Sequence, residues 1–558
     1  MNPDQILESL DAQQREAATA LVGPVCILAG AGTGKTRTIT HRIAYGIAKG
    51  YYAANRVLAL TYTNRAAGEL RVRLRDLGIP GVSVKTFHAA ALSQLQFFWP
   101  QFAGIPAPIV IESKAKLIST AAQALGFSFD AASVRDIAAE IEWRKYSMIS
   151  LEEYESVAAS RGMVAGLNPE QLVKLQGLYE QNKAQANRID WEDVLVLTLG
   201  LLRAEPRARE HVRAQYRFFT VDEYQDISPL QHALLDEWLG NHQDLCVVGD
   251  PNQTIYSFTG ATSAYLSGFA ERFDDATVLQ LNQNYRSTKE IVNFANRLTA
   301  GVTNLEPLQA KGQQGFAPLL QAAQSVADES QLVAQAVLDR IAQGVSPSQI
   351  AVLYRVNGQS EAIENALVRL GIDYQVRGGE RFFTRPEVQR AIQAIKVESL
   401  GQNSKPLFQS VTDIMRSLGW QIQAPTSKGA AFDSWESLNA IVQMLDEMPS
   451  NASLEAFVHE LDERARSQHE PLKTSVTLST IHAAKGLEWD AVFIVGLTEG
   501  YLPISYARTE SEIAEERRLL YVGVTRARKE LNLSWPIQDV AGGRKREPSR
   551  FVKLLTRV

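Results

Sequence analysis

Two kinds of hydrophobic pattern alternate along this chain. Short, mainly apolar runs at 25–28, 57–60, 218–221 and 245–248, with a shorter one at 82–84, read as buried strands. Elsewhere apolar residues recur at helical spacing, most clearly in ESKAKLISTAAQALG (112–126) and PEQLVKLQGLYEQNKAQA (169–186). Between about 88 and 200 only the helical spacing is found, which predicts a helical insertion within a parallel α/β domain. A second α/β pattern begins near Val278. It includes a strand at 350–354, a helix through NGQSEAIENALVRLG, strands at 476–480 and 491–495, and a helix over 510–528. Residues 391–473 break this pattern with helical spacing and the loop-like patches GQNSKP and PTSKGA, predicting a second, smaller insertion. The fold class is therefore α/β, with two parallel-sheet domains, each carrying a mainly helical insertion. The expected partition is 1–88 and 189–276 for the first domain, with 89–188 inserted, and 277–390 and 474–558 for the second, with 391–473 inserted. No repeat or long low-complexity segment interrupts it.

Composition narrows the functional classes. Of 558 residues, 45% are hydrophobic and 21% charged, an ordinary soluble balance. The net charge of -5 supplies no global basic field, so a nucleic acid would have to be held in a local groove. Cys26 and Cys246 each lie within an apolar run and read as core residues; no CxxC pair suggests zinc, and no disulfide framework is expected. MNPDQILESLD lacks a secretory pattern, and no run of about 18 apolar residues suggests a membrane span, so a cytoplasmic location is expected.

The chemistry begins where the first strand ends. Ala29-Gly30-Ala31-Gly32-Thr33-Gly34-Lys35-Thr36 is a Walker A loop with alanine in the first glycine position, and Arg37 follows it. Glycines let backbone N–H groups turn toward phosphate oxygens, Lys35 can reach the β and γ phosphates, and the Thr36 hydroxyl can bind Mg²⁺. A helix N-terminus directly after the loop favours the anion. The apolar FFTV ends in Asp222-Glu223, a Walker B pair: Asp222 for Mg²⁺, Glu223 to polarise an attacking water. Paired acids at a strand end are often solvated loop residues, but the upstream Walker A loop favours catalysis. ATP and Mg²⁺ are the expected cofactors. The long separation of the two motifs is more than a compact small-molecule kinase needs, and it suits a motor with an inserted domain.

From VDEYQD onward the sequence resembles the UvrD/Rep/PcrA group of superfamily 1 DNA helicases. The ordered set is LDAQQREAA, AGAGTGKT, TYTNRAAGELRVR, TFH, VDEYQDISPLQ, VVGDPNQTIYSFTGA, LNQNYRST, LYRVNGQS, GGERFFTRPEV, TIHAAKGLEWD and EERRLLYVGVTRA. The resemblance covers nearly all of both α/β domains and implies that they are RecA-like, with ATP held between them. It implies that Gln14 recognises adenine, that Tyr285 stacks on it, that Glu488 binds the ribose and that Gln253 senses the γ phosphate. Arg286 and Arg526 resemble paired arginine fingers, whose guanidinium forks can neutralise charge on the transferring phosphoryl group; by residue type alone, either would more commonly form a surface ion pair.

On the DNA side, Tyr62, Thr63, Asn64, Thr86 and His88 match contact positions, and Tyr256 and Phe258 resemble base-stacking aromatics. Arg355 and His482 match further positions, while Phe87 reads as core. Single-stranded DNA and its junctions with duplex are the expected partners, and the chain is expected to act as a monomer or weak dimer. The resemblance implies 3′-to-5′ travel and a role in genome maintenance.

Three features depart from the family pattern. IYSFTGA stands where IYGWRGA is usual, so Phe258 replaces tryptophan and Thr259 replaces arginine. The second insertion is short and lacks a GIG-type hairpin for gripping duplex. After the last motif, no appended nuclease, zinc module or further helical domain is expected within this sequence; the basic patch Arg544-Lys545-Arg546 reads as a solvated loop rather than a phosphate contact. The rivals to a DNA helicase are a single-strand translocase that strips proteins but unwinds weakly, and a DNA-binding scaffold without catalysis.

Overall fold

The computed structural model describes residues 3–302, 305–312, 314–377, 382–401, 405–423, 425, 430–449, 452–466, 475–540 and 542–556. The chain divides into two compact units, one comprising residues 1–285 and 301–309, the other 286–300 and 310–558.

The first unit is built on a six-stranded sheet in the order Ser83–Thr86, Val57–Thr61, Phe218–Val221, Leu245–Gly249, Val25–Ala29, Thr277–Leu281. All its pairings are parallel. Its central strands are apolar on both faces because helices cover both, as all-parallel sheets require. On one face Val25, Ile27, Ala59 and Val248 pack with Ile39, Ile43 and Leu70 from the helices Lys35–Ala48 and Asn64–Asp76. On the other, Cys26, Leu58, Leu60 and Val247 pack with Phe87, Leu195, Leu234 and Trp238. Cys26 and Cys246 are buried and unbridged.

The sequence pattern assigns the strand near Val278 to the second domain. The structure instead pairs Thr277–Leu281 with Val25–Ala29 as the edge of the first sheet, so the expected boundary at 276/277 falls too early. Strand hydropathy carries no record of the sheet to which a strand belongs. Helices Ala115–Ala124, Ala131–Tyr146, Leu151–Arg161 and Pro169–Gln185 enclose a separate small core around Ile118, Ile137, Tyr154, Leu175 and Tyr179.

The second unit has another six-stranded parallel sheet, in the order Leu319–Ala323, Ala527–Pro536, Trp489–Ile494, Ile350–Tyr354, Val476–Thr480, Tyr374–Arg377. The helix expected over 510–528 stops at Val524; Ala527–Pro536 is a strand, so Arg526 sits in the turn between them. The helices Pro386–Ser399, Leu407–Ser417, Ala430–Gln443 and Leu454–Arg466 share a core that begins at Phe382 and Phe383, earlier than the expected start at 391. Residues 378–381 of GGERFFTRPEV, and parts of GQNSKP and PTSKGA, lie outside the described residues. Among the described residues, no helix is long and apolar enough to cross a membrane.

Candidate functional site

In a parallel sheet every strand ends on the same side, and loops there converge on one crevice. In the first unit six strand ends deliver the expected motifs: Ala29 to the phosphate loop, Thr61 to Tyr62, Thr86 to His88, Val221 to Asp222 and Glu223, Gly249 to Gln253, and Leu281 to Tyr285.

The phosphate loop turns into its helix at Gly34, whose φ of 82° lies in the left-handed region. A Cβ there would come within 2.6 Å of the Gln14 Nε2 and displace that amide. Gln14 itself is buried. Its backbone N–H donates to Asp11 Oδ1 as part of a capping box, and its side-chain amide donates to Thr33 O at 2.9 Å. Lys35 Nζ donates to Ala29 O at 3.0 Å and Thr33 Oγ1 to Gly30 O at 2.9 Å. Thr36 lies in the first turn of the helix with its carbonyl accepting from Thr40, and Arg37 is exposed and donates to Ser9 O at 2.7 Å. Asn284 Nδ2 donates to Ala31 O at 2.7 Å, and Tyr285 N to Gly32 O at 2.9 Å. The Tyr285 ring is half exposed, and its hydroxyl donates to Asp11.

Asp222 is buried at the end of its strand. Burial and the adjacent Glu223 carboxylate push its carboxyl up to about 7, with Lys35 pulling the other way. Glu223 has a φ of 54°, a backbone strain worth roughly 1–3 kcal/mol that functional sites tolerate. A buried carboxyl whose ionisation is opposed by a neighbouring carboxylate fits a divalent cation. With the Thr36 hydroxyl, Asp222 would hold Mg²⁺, which supplies charge neutralisation to the phosphates when bound.

Gln225, not singled out from the sequence, ties these parts together. It is fully buried, its amide donates to Glu223 Oε2 at 2.5 Å, and its oxygen accepts from Asp250 N at 3.0 Å. Asp250 Oδ2 in turn accepts from Gln253 Nε2 at 2.8 Å. A Cβ at Gly249 would approach Gln225 Oε1 to 2.5 Å, so this bridge also explains a glycine. Its signal was present as the Q of VDEYQD.

An aromatic face follows directly from the segment that carries Asp250 and Gln253. Tyr62 and Tyr256 stack at 5.5 Å between centroids and 13° between planes, and Phe258 meets Tyr256 edge-on at 6.1 Å while remaining 56% exposed. Thr63 and Thr86 are helix N-caps, accepting from Ala66 N and Ala89 N; Asn64 is exposed at the first turn. Phe87 is buried against Trp238 at 5.9 Å, the core role expected of it. His88 hydrogen-bonds the Tyr146 hydroxyl at 3.1 Å, and burial, aided by Lys114, pushes its pKa down to about 4. Trp191, which sequence reading passed over, is 46% exposed and edge-on to His88 at 6.0 Å. An amphipathic helix start conceals an exposed aromatic of this kind.

In the second unit the residues are committed differently. Arg286 pairs with Glu488 at 2.5 Å and donates to Thr525 O at 3.1 Å, so the expected ribose carboxylate is here an arginine's partner. Arg526 is 2% exposed and donates to Val522 O, Leu487 O and Thr525 Oγ1 at 3.0–3.1 Å; it is no solvated surface arginine. Arg355, expected on the DNA side, forms a forked pair with the buried Glu516 at 2.8–3.1 Å. Glu516 also accepts from Ile504 N at 3.1 Å, which makes Arg355 a framework residue. Burial holds His482 well below its ordinary pKa, with Arg355 and Lys485 adding to the effect, so it is neutral. Arg546 of the expected solvated patch is instead mostly buried, paired with Asp539 and stacked over Tyr501 at 4.5 Å.

Residues 10–274 match the family model described as the UvrD/REP helicase N-terminal domain, and residues 279–428 and 408–538 match the UvrD-like helicase C-terminal domain. With fold and motifs in agreement, the chain belongs to the UvrD/Rep family of helicases. It is 44% identical to the ATP-dependent DNA helicase UvrD2 of Mycobacterium tuberculosis (strain ATCC 25618 / H37Rv), an alignment covering 98% of this chain and 82% of that protein. It is 28% identical to the ATP-dependent DNA helicase PcrA of Bacillus subtilis (strain 168), over 95% of this chain and 83% of that one. It is also 28% identical to DNA helicase II of Haemophilus influenzae (strain ATCC 51907 / DSM 11121 / KW20 / Rd), over 100% of this chain and 88% of that one.

Proposed function

We propose that this enzyme is an ATP-driven DNA helicase that travels 3′-to-5′ on single strands and serves genome maintenance. The observation that carries the coupling of ATP to DNA is the hydrogen-bonded run from Glu223 through Gln225 and Asp250 to Gln253, which ends three residues before Tyr256 of the aromatic face; the direction of travel and the role in genome maintenance rest on the family resemblance alone. A change at the phosphates thereby has a short covalent and hydrogen-bonded route to bases. Lys35 neutralises the β and γ phosphates, Glu223 orients and deprotonates the attacking water, and Gln253 reads the γ phosphate. Arg286 and Arg526 stabilise the transition-state charge, Gln14 and Tyr285 hold the base, and Glu488 holds the ribose once Arg286 turns to phosphate. Tyr62, Tyr256, Phe258 and Trp191 stack on bases, and Thr63, Asn64, Thr86 and His88 line their path.

Steady-state ATP turnover with and without single-stranded DNA tests the reading, on the unaltered chain and on Glu223→Gln. Strong stimulation is expected, with turnover in the variant reduced by roughly 10²–10⁴. Absence of stimulation in the unaltered chain would overturn it.

A second reading, a translocase with weak intrinsic unwinding, draws on the second insertion. That insertion is short, and Arg385 pins it to its parent domain by donating to Asn357 O at 2.7 Å and Ser360 Oγ at 2.8 Å. Strand displacement measured beside translocation separates the two: motion without separation selects this reading.

A further inference from the structure

A buried ionic cluster in the first unit takes no part in the chemistry above. Lys145 Nζ lies 2.7 Å from Asp190 Oδ2, 2.7 Å from Asp193 Oδ1 and 2.8 Å from Glu180 Oε1. Lys183 Nζ lies 2.8 Å from Asp190 Oδ2 and 2.7 Å from Glu180 Oε2, and it also reaches Asp193. Arg144 adds a contact to Glu180 at 3.3 Å and donates to Gln176 Oε1 at 2.6 Å, while the Tyr179 hydroxyl donates to Asp190 Oδ2 at 2.9 Å. The three carboxylates converge closely enough to suggest a metal site. Two ammonium groups already occupy their lone pairs, and with Arg144 the charges balance, so the cluster holds no cation beyond its own.

Buried ion pairs stabilise no better than apolar packing, because desolvation offsets most of the attraction. What they add is direction, and here the direction is informative. Asp190 is the N-cap of the helix Trp191–Ala204, and Asp193 completes its capping box. Two of the three acids gripped by the lysines, Asp190 and Asp193, therefore form the cap of a helix whose first residue is the exposed Trp191. Lys145 is followed by Tyr146, whose hydroxyl meets His88 Nε2, and both Tyr146 and Trp191 meet the His88 ring edge-on.

We infer that Lys145, supported by Lys183, is a positioning residue for single-strand binding. It clamps the insertion helix Ala131–Tyr146 to the cap of Trp191–Ala204 and so sets the angle of Trp191 and, through Tyr146, of His88. This rests on the reading of that aromatic face as the one that binds DNA.

The test is the dissociation constant for a fluorescein-labelled oligothymidylate, measured by anisotropy across a salt series for the full chain, Lys145→Met and Tyr146→Phe. A misaligned stacking ring is expected to weaken binding about 5- to 10-fold in Lys145→Met and about 2- to 3-fold in Tyr146→Phe. The slope of log Kd against log salt should stay that of the unaltered chain, because no phosphate contact is removed. Tyr146→Phe retains every ion pair and decides the matter if Lys145→Met does not fold. Unchanged affinity in the folded variants would overturn the inference and leave the cluster a purely structural device. A shallower salt slope in Lys145→Met would overturn it in favour of direct phosphate contact. If the unaltered chain binds no single strand, the inference falls together with the functional reading; if it binds and the variants match it, only the inference falls.

Discussion

His88 shows how a residue named by a motif acquires its character from what surrounds it. Burial and Lys114 hold it down at about 4 against an ordinary 6.5, so at neutral pH it is an uncharged hydrogen-bonding partner of Tyr146. Between pH 4 and 6.5 the unfolded chain therefore binds the proton more readily than the folded one, and this residue's contribution to stability rises with pH through that window. Glu192, which burial pushes up to about 7 with Asp190 adding to the effect, titrates there with the opposite sign. The difference between denaturation curves of the unaltered chain and His88→Gln isolates the histidine: the variant should lose less stability as pH falls from 6.5 to 4. Thr259 offers a second residue-scale test. Its hydroxyl donates to Tyr256 O at 2.8 Å beside the stacking rings, where the family pattern has arginine. Thr259→Arg should steepen the salt dependence of single-strand binding by about 0.7 in log–log slope, one added phosphate contact. An unchanged slope would place that side chain away from the DNA path.

At the scale of elements, motifs far apart in the chain meet because parallel strands end on one side. The turn at 525–526, between the helix Glu510–Val524 and the strand Ala527–Pro536, buries Arg526 against the carbonyls of Val522 and Leu487. The second insertion is joined to its parent domain by an equally specific contact. Arg385 is 5% exposed and spans Asn357, Ser360 and Ser437, and a Cβ at Gly358 would come within 2.8 Å of Glu436. Removing a buried guanidinium leaves those acceptors unpaired, so Arg385→Met should cost about 2–4 kcal/mol in denaturant unfolding. A cost below about 1 kcal/mol would show the insertion to be held by apolar packing alone.

Over the whole molecule, each unit has its own parallel sheet and cores, and the chain passes between them three times, at 285/286, 300/301 and 309/310. Units with separate cores need not unfold together. Calorimetry should resolve more than one transition. A non-hydrolysable ATP analogue with Mg²⁺, at about 100 times its Kd, should stabilise the unit bearing Lys35 by roughly 2.7 kcal/mol. A single transition unmoved by nucleotide would contradict both the independence of the units and the assignment of the phosphate loop.

Much of this was legible in the sequence because its physics is local. The strand at Val25–Ala29, the glycines of the phosphate loop, the acids after Phe218–Val221 and the family motifs are each written within a dozen residues. Sheet membership is not local: Thr277–Leu281 reads as any strand does, and only its pairing with Val25–Ala29 puts it in the first sheet. Side-chain commitment is not local either. Arg355 and Arg546 look like free cations in sequence, yet tertiary folding brings Glu516 and Asp539 to them. Gln225, Lys145 and Trp191 gain their significance only from partners that lie on other strands and helices. Residue types and short-range spacing determined what chemistry the chain can hold; the packing of distant segments, through burial and the pairing of charges, decided which side chains remain available for it.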